Sequence, residues 1–554
     1  MKTLHDPITV EIIRSSLQAV ALEMFATMRR TAFTPLIYEV LDFGVAVTDG
    51  NGDLLVPGAG IPGFVGMLEP GVKAMLAKHG SNIYPGDMFI TNNAFVGGAS
   101  HANDMGVYMP IFAENELVAW VANKGHWGDV GGMAIGSVSA QARDMHQEGI
   151  WIPEVKLFEA GRINQSILDI LRANSRLPEE AVGDLWAAIA TLRDGESEIL
   201  QLVAKYGLDC FKYAVTNMLE DGARLSYEAL KRLPHGEFTA TDMMEDGSEI
   251  RMRIAISADE FVVDLRGNPM QIHAPVNAPY AATMSLVQII FKCITSPDEP
   301  VNAGNFRPLK LICDKGSRFA AEPPYPVGFY YEPPLAAMEL MWKALANHVP
   351  GVLPAGSFAS VNGTFLQGIR ADNGEAFAMV EPEPGGWGAS ATRDGPSAQF
   401  CGAHGDTYNC PVEISESRYG LHVDQLALNT GPGGEGRHCG GRGIVLDYRI
   451  TGPEASVTAM FSRHNNKPWP LENGREGSSN DLLVIYSDGR PAERMGRADA
   501  IPLVKGDVVR IISAQGAGFG DPASRPRELV EEDLRNGYIT PEQAEKEFGL
   551  RLAS

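Results

Sequence analysis

Between Gly97 and Gly132 the chain reads GGASHANDMGVYMPIFAENELVAWVANKGHWGDVGG, and four of its side chains, His101, Asp104, His126 and Asp129, are of types that hold metals or move protons. Val107, Met109 and Ile111 alternate as in a strand, Leu117 to Ala122 reads as a second strand, and the polar stretch Ala113 to Glu116 supplies a turn. If the turn centres between Glu114 and Asn115, Asp104 faces Gly125 and Asn103 faces His126 at the open end of the hairpin, which makes Asp104 and His126 neighbours and brings the four side chains to one spot. His101 lies just outside that end, and Asp129 lies three residues beyond His126. Imidazole and carboxylate together suit zinc, iron or manganese, whereas an all-oxygen set would suit magnesium or calcium. The competing reading is a glycine-rich loop pair whose polar side chains bond their own backbone.

A second hairpin brings a further candidate. Phe43, Val45 and Val47 alternate, Asp49-Gly50-Asn51-Gly52 is a turn, and Leu54 to Val56 is the return strand. Asp42 enters this hairpin between apolar neighbours, a costly place for a carboxylate unless it is paired or bound to a cation. It is a further candidate ligand; capping a loop is the alternative.

These hairpins need helices to lie on. Asp6-Pro7 is a helix start, and Ile8, Ile12, Ile13, Leu17, Val20, Ala21, Met24 and Met28 recur at helical spacing to about Arg30, which predicts one core-facing stripe. A helix through Glu69 to Lys78 and a strand at Asp87 to Thr91 follow. From Pro178 to about Leu233 the pattern is helical, broken at Gly195 and Gly207, with Leu185, Trp186, Ile189 and Leu192 as a core stripe. A β-meander then spans Glu237 to Asp264, helices lie near Ala281 to Ile294 and Leu335 to His348, and short strands fill the last third before a helical tail at Glu528 to Phe548. The reading is an α+β chain, a mixed multi-layer body of antiparallel sheets and packed helices with a β-rich C-terminal third. Four regions are expected: 1–177 with the metal site, 178–355 helical and meander, 356–525 glycine-rich β, and 526–554 as the tail.

Composition bounds the partners. The chain has 554 residues, 44% of them hydrophobic, enough for a large core, and a formal charge of −23 with no Lys/Arg cluster, which disfavours nucleic acid and acidic membranes. Six cysteines without CxxC spacing favour reduced thiols, and neither a signal pattern nor a long apolar run occurs, so the cytoplasm is the expected location. Gly431 to Gly443, GPGGEGRHCGGRG, is glycine-rich but lacks the GxxxxGK[ST] order, so tight turns explain it better than a phosphate site.

The blocks DPITVEIIRSSL, DFGVAVTDGNGDLL, GGASHANDMGV, NKGHWGDVGG, QEGIWIPEVKL, CGAHGDTYNCPVEISE, GPGGEGRHCGGRG and GAGFGDPASRP, in that order, resemble the hydantoinase B family, which includes 5-oxoprolinase C-terminal halves and subunits of acetone-type carboxylases. The resemblance spans nearly the whole chain; His464-Asn465-Asn466 and Trp469 depart from it, and no substrate-side residue is carried over. It implies one divalent transition metal (zinc, iron or manganese) held by the residues matching Asp42, His101, Asp104 and His126. It also implies ATP-dependent opening of a hydantoin, a 5-oxoproline-like ring or another lactam. A hydantoinase A-like kinase-type partner, two of each subunit in a heterotetramer, would use ATP and magnesium to phosphorylate the amide. Asp129 would be catalytic, orienting a ligand histidine or taking a proton from water. The alternative implied by the same family is carboxylation of an acetone- or acetophenone-type ketone.

Overall fold

The computed structural model describes residues 6–349, 351–405 and 407–550. They pack as two compact units, each assembled from separate stretches: Met1–Glu237 with Ile254–Pro334 and Gly402–Tyr408, and Phe238–Arg253 with Leu335–Cys401 and Asn409–Ser554. The architecture is the mixed one expected, with several antiparallel sheets among packed helices.

The first unit is built on a seven-stranded sheet. Its strands are β1 (Phe43–Asp49), β2 (Leu54–Gly60), β3 (Met88–Thr91), β4 (Asp104–Ala113), β5 (Glu116–His126), β6 (Val155–Glu159) and β7 (Arg162–Ile163), in the order β2-β1-β5-β4-β3-β6-β7. All neighbours are antiparallel, so no strand needs a long crossover. The helices of this unit include α1 (Pro7–Thr31), α2 (Pro35–Tyr38), α3 (Pro62–His79), α4 (Gln165–Asn174), α5 (Pro178–Tyr206), α6 (Leu208–Leu230) and α7 (Tyr280–Thr295). Period-2 alternation sends Val45, Val47, Val107, Met109 and Val121 to one face, where they join Leu17, Met24, Leu185 and Ile189 of α1 and α5. Ala46, Tyr108 and Ala122 go to the other face, against Val65, Leu68 and Val72 of α3.

The Asp6 side chain caps α1 by accepting from the backbone N–H groups of Ile8 and Thr9. The predicted stripe on this helix is buried from Ile13 to Met28, but its first two members are not: Ile8 is 70% exposed and Ile12 43%. Helical periodicity says which residues share a face, and the first turns of α1 extend past the body that covers that face further on. Trp186, placed in the α5 stripe, is likewise exposed, while Leu185, Ile189 and Leu192 are buried. Gly195 does not break α5. A Cβ there would sit 2.6 Å from Met24 Sδ, so this glycine lets α5 lie close to α1. The expected break at Gly207 does occur, between α5 and α6.

The second unit holds two antiparallel sheets. One runs Ala376–Glu381, Gly363–Ile369, Glu454–Met460, Arg497–Val504; the other runs Leu421–Leu428, Ile444–Ile450, Val508–Ile512, Asp481–Ile485, Glu493–Met495. Leu366, Met379, Leu446, Val457, Leu482 and Ile511 belong to their shared core. The 431–443 loop packs backbone on backbone: a Cβ on Gly440 would lie 1.9 Å from the Gly516 carbonyl oxygen, which explains its glycines without a phosphate. The expected helical tail is two short helices, Arg527–Arg535 and Pro541–Lys546.

Candidate metal centre

The β4–β5 hairpin turns through Glu114 and Asn115, both in the left-handed region (φ 51° and 67°), as a two-residue turn matched to strand twist requires. The first pairs, Ala113 with Glu116 and Phe112 with Leu117, follow the expected register. The register then shifts between Ile111 and Phe112, so that Ile111 pairs with Ala119 and Val118 is the extra residue of a bulge. From there to the open end every partner is displaced by one from expectation. Asp104 pairs with His126, not with Gly125.

On its other edge β5 pairs with β1, Phe43 opposite Gly125, and the His126 backbone N–H donates to the Asp42 carbonyl at 3.0 Å. Asp42, His126 and Asp104 thus stand in a row across three neighbouring strand ends. His101 enters from the preceding turn, where the Asp104 N–H donates to its carbonyl. His101, Asp104 and His126 each offer a ligand atom within 4.8 Å of the others. His101 Nε2 lies 3.2 Å from His126 Nδ1 and 3.2 Å from Asp104 Oδ1, and His126 Nδ1 lies 3.5 Å from the same oxygen. Asp42 is the outlying member, its Oδ2 3.9 Å from His126 Nδ1.

All four side chains are buried. Oδ1 of Asp42 has no hydrogen-bond donor, and the wholly buried Asp104 carboxylate faces His101 at 3.2 Å, His126 at 3.5 Å and the Lys124 ammonium at 3.4 Å. A buried carboxylate without donors is expensive, and convergent imidazole and carboxylate lone pairs repel unless a proton or cation lies among them. The donor set therefore fits a divalent transition metal, with two nitrogens and two carboxylates of the kind zinc, iron and manganese accept.

Lys124 was not foreseen. Its ammonium is wholly buried, 3.4 Å from Asp104 Oδ2, 2.6 Å from Ser100 Oγ and 4.2 Å from the centre of the Phe64 ring. Gly44 and Gly106 are its cross-strand neighbours, which leaves room for the long side chain on the face that carries the cluster. Burial pushes the Lys124 ammonium down to about 8, against the pull of Asp104. For Asp104 burial acts upward, but His101 and Lys124 outweigh it and hold the carboxyl well below its usual range. Burial raises Asp42 to about 6. A third histidine, His404, is buried, its Nδ1 has no hydrogen-bond partner, and burial followed by the charge of His126 pushes it down to about 4. Its block CGAHGDTYNC is visible in the sequence, yet nothing in its spacing links it to residues three hundred positions earlier. Lys124 had a local signal: a lysine inside an otherwise apolar strand needs a buried partner.

Asp129 does not join the cluster through any hydrogen bond. Its carboxylate accepts from the backbone N–H groups of Gly131, Gly136 and Arg176 and from Arg176 Nε. Arg176 also donates to the carbonyls of Gly131 and Ala134. With four donors on two oxygens the carboxylate clasps the 129–137 loop to the residues that follow α4.

The chain has full-length relatives among known proteins. It is 32% identical to an uncharacterised protein of Methanocaldococcus jannaschii over 99% of this chain and 96% of that one. It is 28% identical to one subunit of a putative D-/L-hydantoinase from a Pseudomonas species, over 99% and 95%. The crystal structure of the ATP-dependent caprolactamase from Pseudomonas jessenii superposes with a TM-score of 0.93 at 25% identity, covering 100% of this chain and 97% of that one. The hydantoinase B/oxoprolinase family model matches residues 6–522, and the chain belongs to that family.

Proposed function

We propose that this chain is the hydrolytic subunit of an ATP-dependent cyclic amidase, acting on a hydantoin, a 5-oxoproline-like ring or another lactam after a kinase-like partner has phosphorylated the amide oxygen. The observation that carries the reading is the row of Asp42, His126 and Asp104 closed by His101, four buried side chains of metal-ligand type with an unpartnered Asp42 oxygen, in a family whose members bear hydantoinase and caprolactamase names. Both of those relatives are named as one component of a larger enzyme, which supports a partner that this chain needs.

An unstrained amide is a poor electrophile. Phosphorylation of its oxygen by ATP gives an O-phosphoimidate and ADP. Water adds to the carbon, the C–N bond breaks with its electron pair and a proton passing to nitrogen, and the resulting acyl phosphate takes a second water to give carboxylate and phosphate. A zinc, iron or manganese ion held here would supply Lewis acidity, bringing the pKa of a water bound to it toward neutrality. Asp42, His101, Asp104 and His126 would hold that ion; the strand ends fix their backbone positions, and Lys124 balances the charge of Asp104. Asp129 fixes the loop that follows His126.

The test is reconstitution with the kinase-like partner, ATP, magnesium and a panel of lactams and hydantoins in ¹⁸O water. Solvent oxygen is expected in the new carboxylate, and the isolated chain is expected to give no heat with ATP in calorimetry. Fixation of labelled bicarbonate into acetone or acetophenone, with no ring opened, would replace the hydrolase reading by the carboxylase one.

A further inference from the structure

Lys124 balances the charge of Asp104, and its placement also separates the two oxygens of that carboxylate. Oδ1 lies 3.2 Å from His101 Nε2 and 3.5 Å from His126 Nδ1, so it is the oxygen turned to both imidazole nitrogens. Oδ2 lies 3.4 Å from the Lys124 ammonium. One carboxylate thus stands between two ligand-type nitrogens on one side and a buried cation on the other.

The cation is fixed where it stands. Its ammonium donates to Ser100 Oγ at 2.6 Å, with the Met67 thioether at 3.7 Å and the centre of the Phe64 ring at 4.2 Å. Phe64 and Met67 belong to α3, and Ser100 directly precedes His101, so the helix and the turn that close the site also hold the lysine. Lys124 shares its sheet face with His126, two residues on along β5, because side chains alternate. Asp104 is its one ion-pair partner among the described residues. A wholly buried ammonium with a single carboxylate for company stays with it, since parting them leaves two unpaired charges out of reach of water.

We infer that Lys124 is a positioning residue that reserves Asp104 Oδ2, so that Asp104 offers a metal Oδ1 alone and the centre keeps a coordination position free. This rests on the metal-centre part of the reading above, whichever ring is opened. A carboxylate ligates through one oxygen or through both, and a second oxygen fills a position that water or substrate would otherwise take. Catalytic centres differ from closed structural ones in keeping such a position open. The arrangement lowers metal affinity, because a fixed ammonium repels a divalent ion and competes with it for the same carboxylate. Outer partners of metal ligands are ordinarily carboxylates or carbonyls, which strengthen binding; a cation in that place acts with the opposite sign.

The test is Lys124→Met in the full chain, an unbranched neutral side chain suited to the Phe64 and Met67 surroundings. The protein is stripped of metal and titrated with zinc against a competing chelator. We expect zinc to bind roughly 10- to 100-fold more tightly than in the wild type, the span over which outer partners change affinity, here as a gain. The visible absorption of cobalt in the variant should weaken toward that of a higher coordination number as Oδ2 enters. Ser100→Ala removes an acceptor from the ammonium and leaves its charge, so its zinc affinity should stay within about threefold of wild type. Lys124→Leu, also neutral and unable to bond Oδ2, carries both measurements if the methionine variant does not fold. Equal or weaker zinc binding in the neutral variant overturns the inference, as a packing role alone would give. So does an unchanged cobalt spectrum, or a gain in Ser100→Ala as large as that of the neutral variant. A wild type that binds no zinc is a different failure, one that defeats the metal centre itself and this inference with it.

Discussion

Metal binding at this site should be readable in the backbone amides that lie between its ligands. The His126 N–H donates to Asp42 at 3.0 Å and the Trp127 N–H donates to Asn103 at 2.9 Å, so these amides bridge the three strand ends that carry Asp42, Asp104 and His126. Opening either bond to solvent separates two ligands, and an opening that separates ligands must release the ion. Free metal at about 1000 times its dissociation constant stabilises the closed state by roughly 4 kcal/mol, a factor of about 1000 in the opening equilibrium. Hydrogen exchange of the peptides spanning 40–46, 102–107 and 124–128 should therefore slow by up to about 1000-fold when zinc or manganese is added to the chelated protein. Peptides of the second unit, such as those covering Leu421–Leu428, should not change by more than about twofold. His126→Ala should abolish the effect, and Asp42→Asn should only reduce it, because Asp42 is the outlying member at 3.9 Å. Equal slowing throughout the chain, or full protection retained in His126→Ala, would refute the ligand assignment.

Asp129→Asn should leave metal content unchanged while exchange speeds up across the 129–137 loop, since its partners are Arg176 and loop amides; loss of metal in mass spectrometry would return it to the cluster. Glu148, raised by burial from 4.5 to about 8, favours the protonated carboxyl in the fold, so its contribution is full below about pH 4.5 and is lost as pH rises toward 8. The shift corresponds to about 5 kcal/mol as an upper figure, and the difference in urea midpoint between wild type and Glu148→Gln should move in favour of the variant between pH 5 and 8. Gly71→Ala should destabilise the first unit by about 1–3 kcal/mol despite the better helix propensity of alanine, because the new Cβ would lie 2.2 Å from the hydroxyl of the buried Tyr108, which is pinned by its bond to the Gly98 carbonyl; an unchanged urea midpoint would show that the ring gives way.

What the sequence disclosed follows from what is local. Caps, turn residues and alternation depend on neighbours along the chain, and α1, both hairpins, the meander and most strands of the last third lie within a few residues of where those signals put them. Exposure is not local. Ile8, Ile12 and Trp186 have the right residue type at the right spacing, and only the extent of the body packed above them decides that they meet solvent. The two compact units also have no linker to betray them: one boundary falls at Glu237, inside the strand Gly236–Met243.

The site was legible in its residues but not in the reason they meet. In the unbulged hairpin expected from the turn, Asp104 faces Gly125, and because side chains alternate, Asp104 and His126 would point to opposite faces of the sheet. One extra residue, Val118, shifts the strand by one and brings both to the face that already carries Asp42, opposite His126 on the other edge of β5. Nothing in Leu117-Val118-Ala119 marks a bulge, since each residue suits a regular strand. Beyond the bulge Trp120 and Ala122 lie in the core beneath α3 and Val121 lies in the core with α1 and α5, while the Glu114-Asn115 turn holds its own geometry at the tip. The bulge takes up the mismatch between them. The same shift gives Lys124 its glycine neighbour Gly106 and so admits a buried cation beside Asp104. The cluster and its countercharge therefore share one structural origin in a single residue that the local pattern does not reveal.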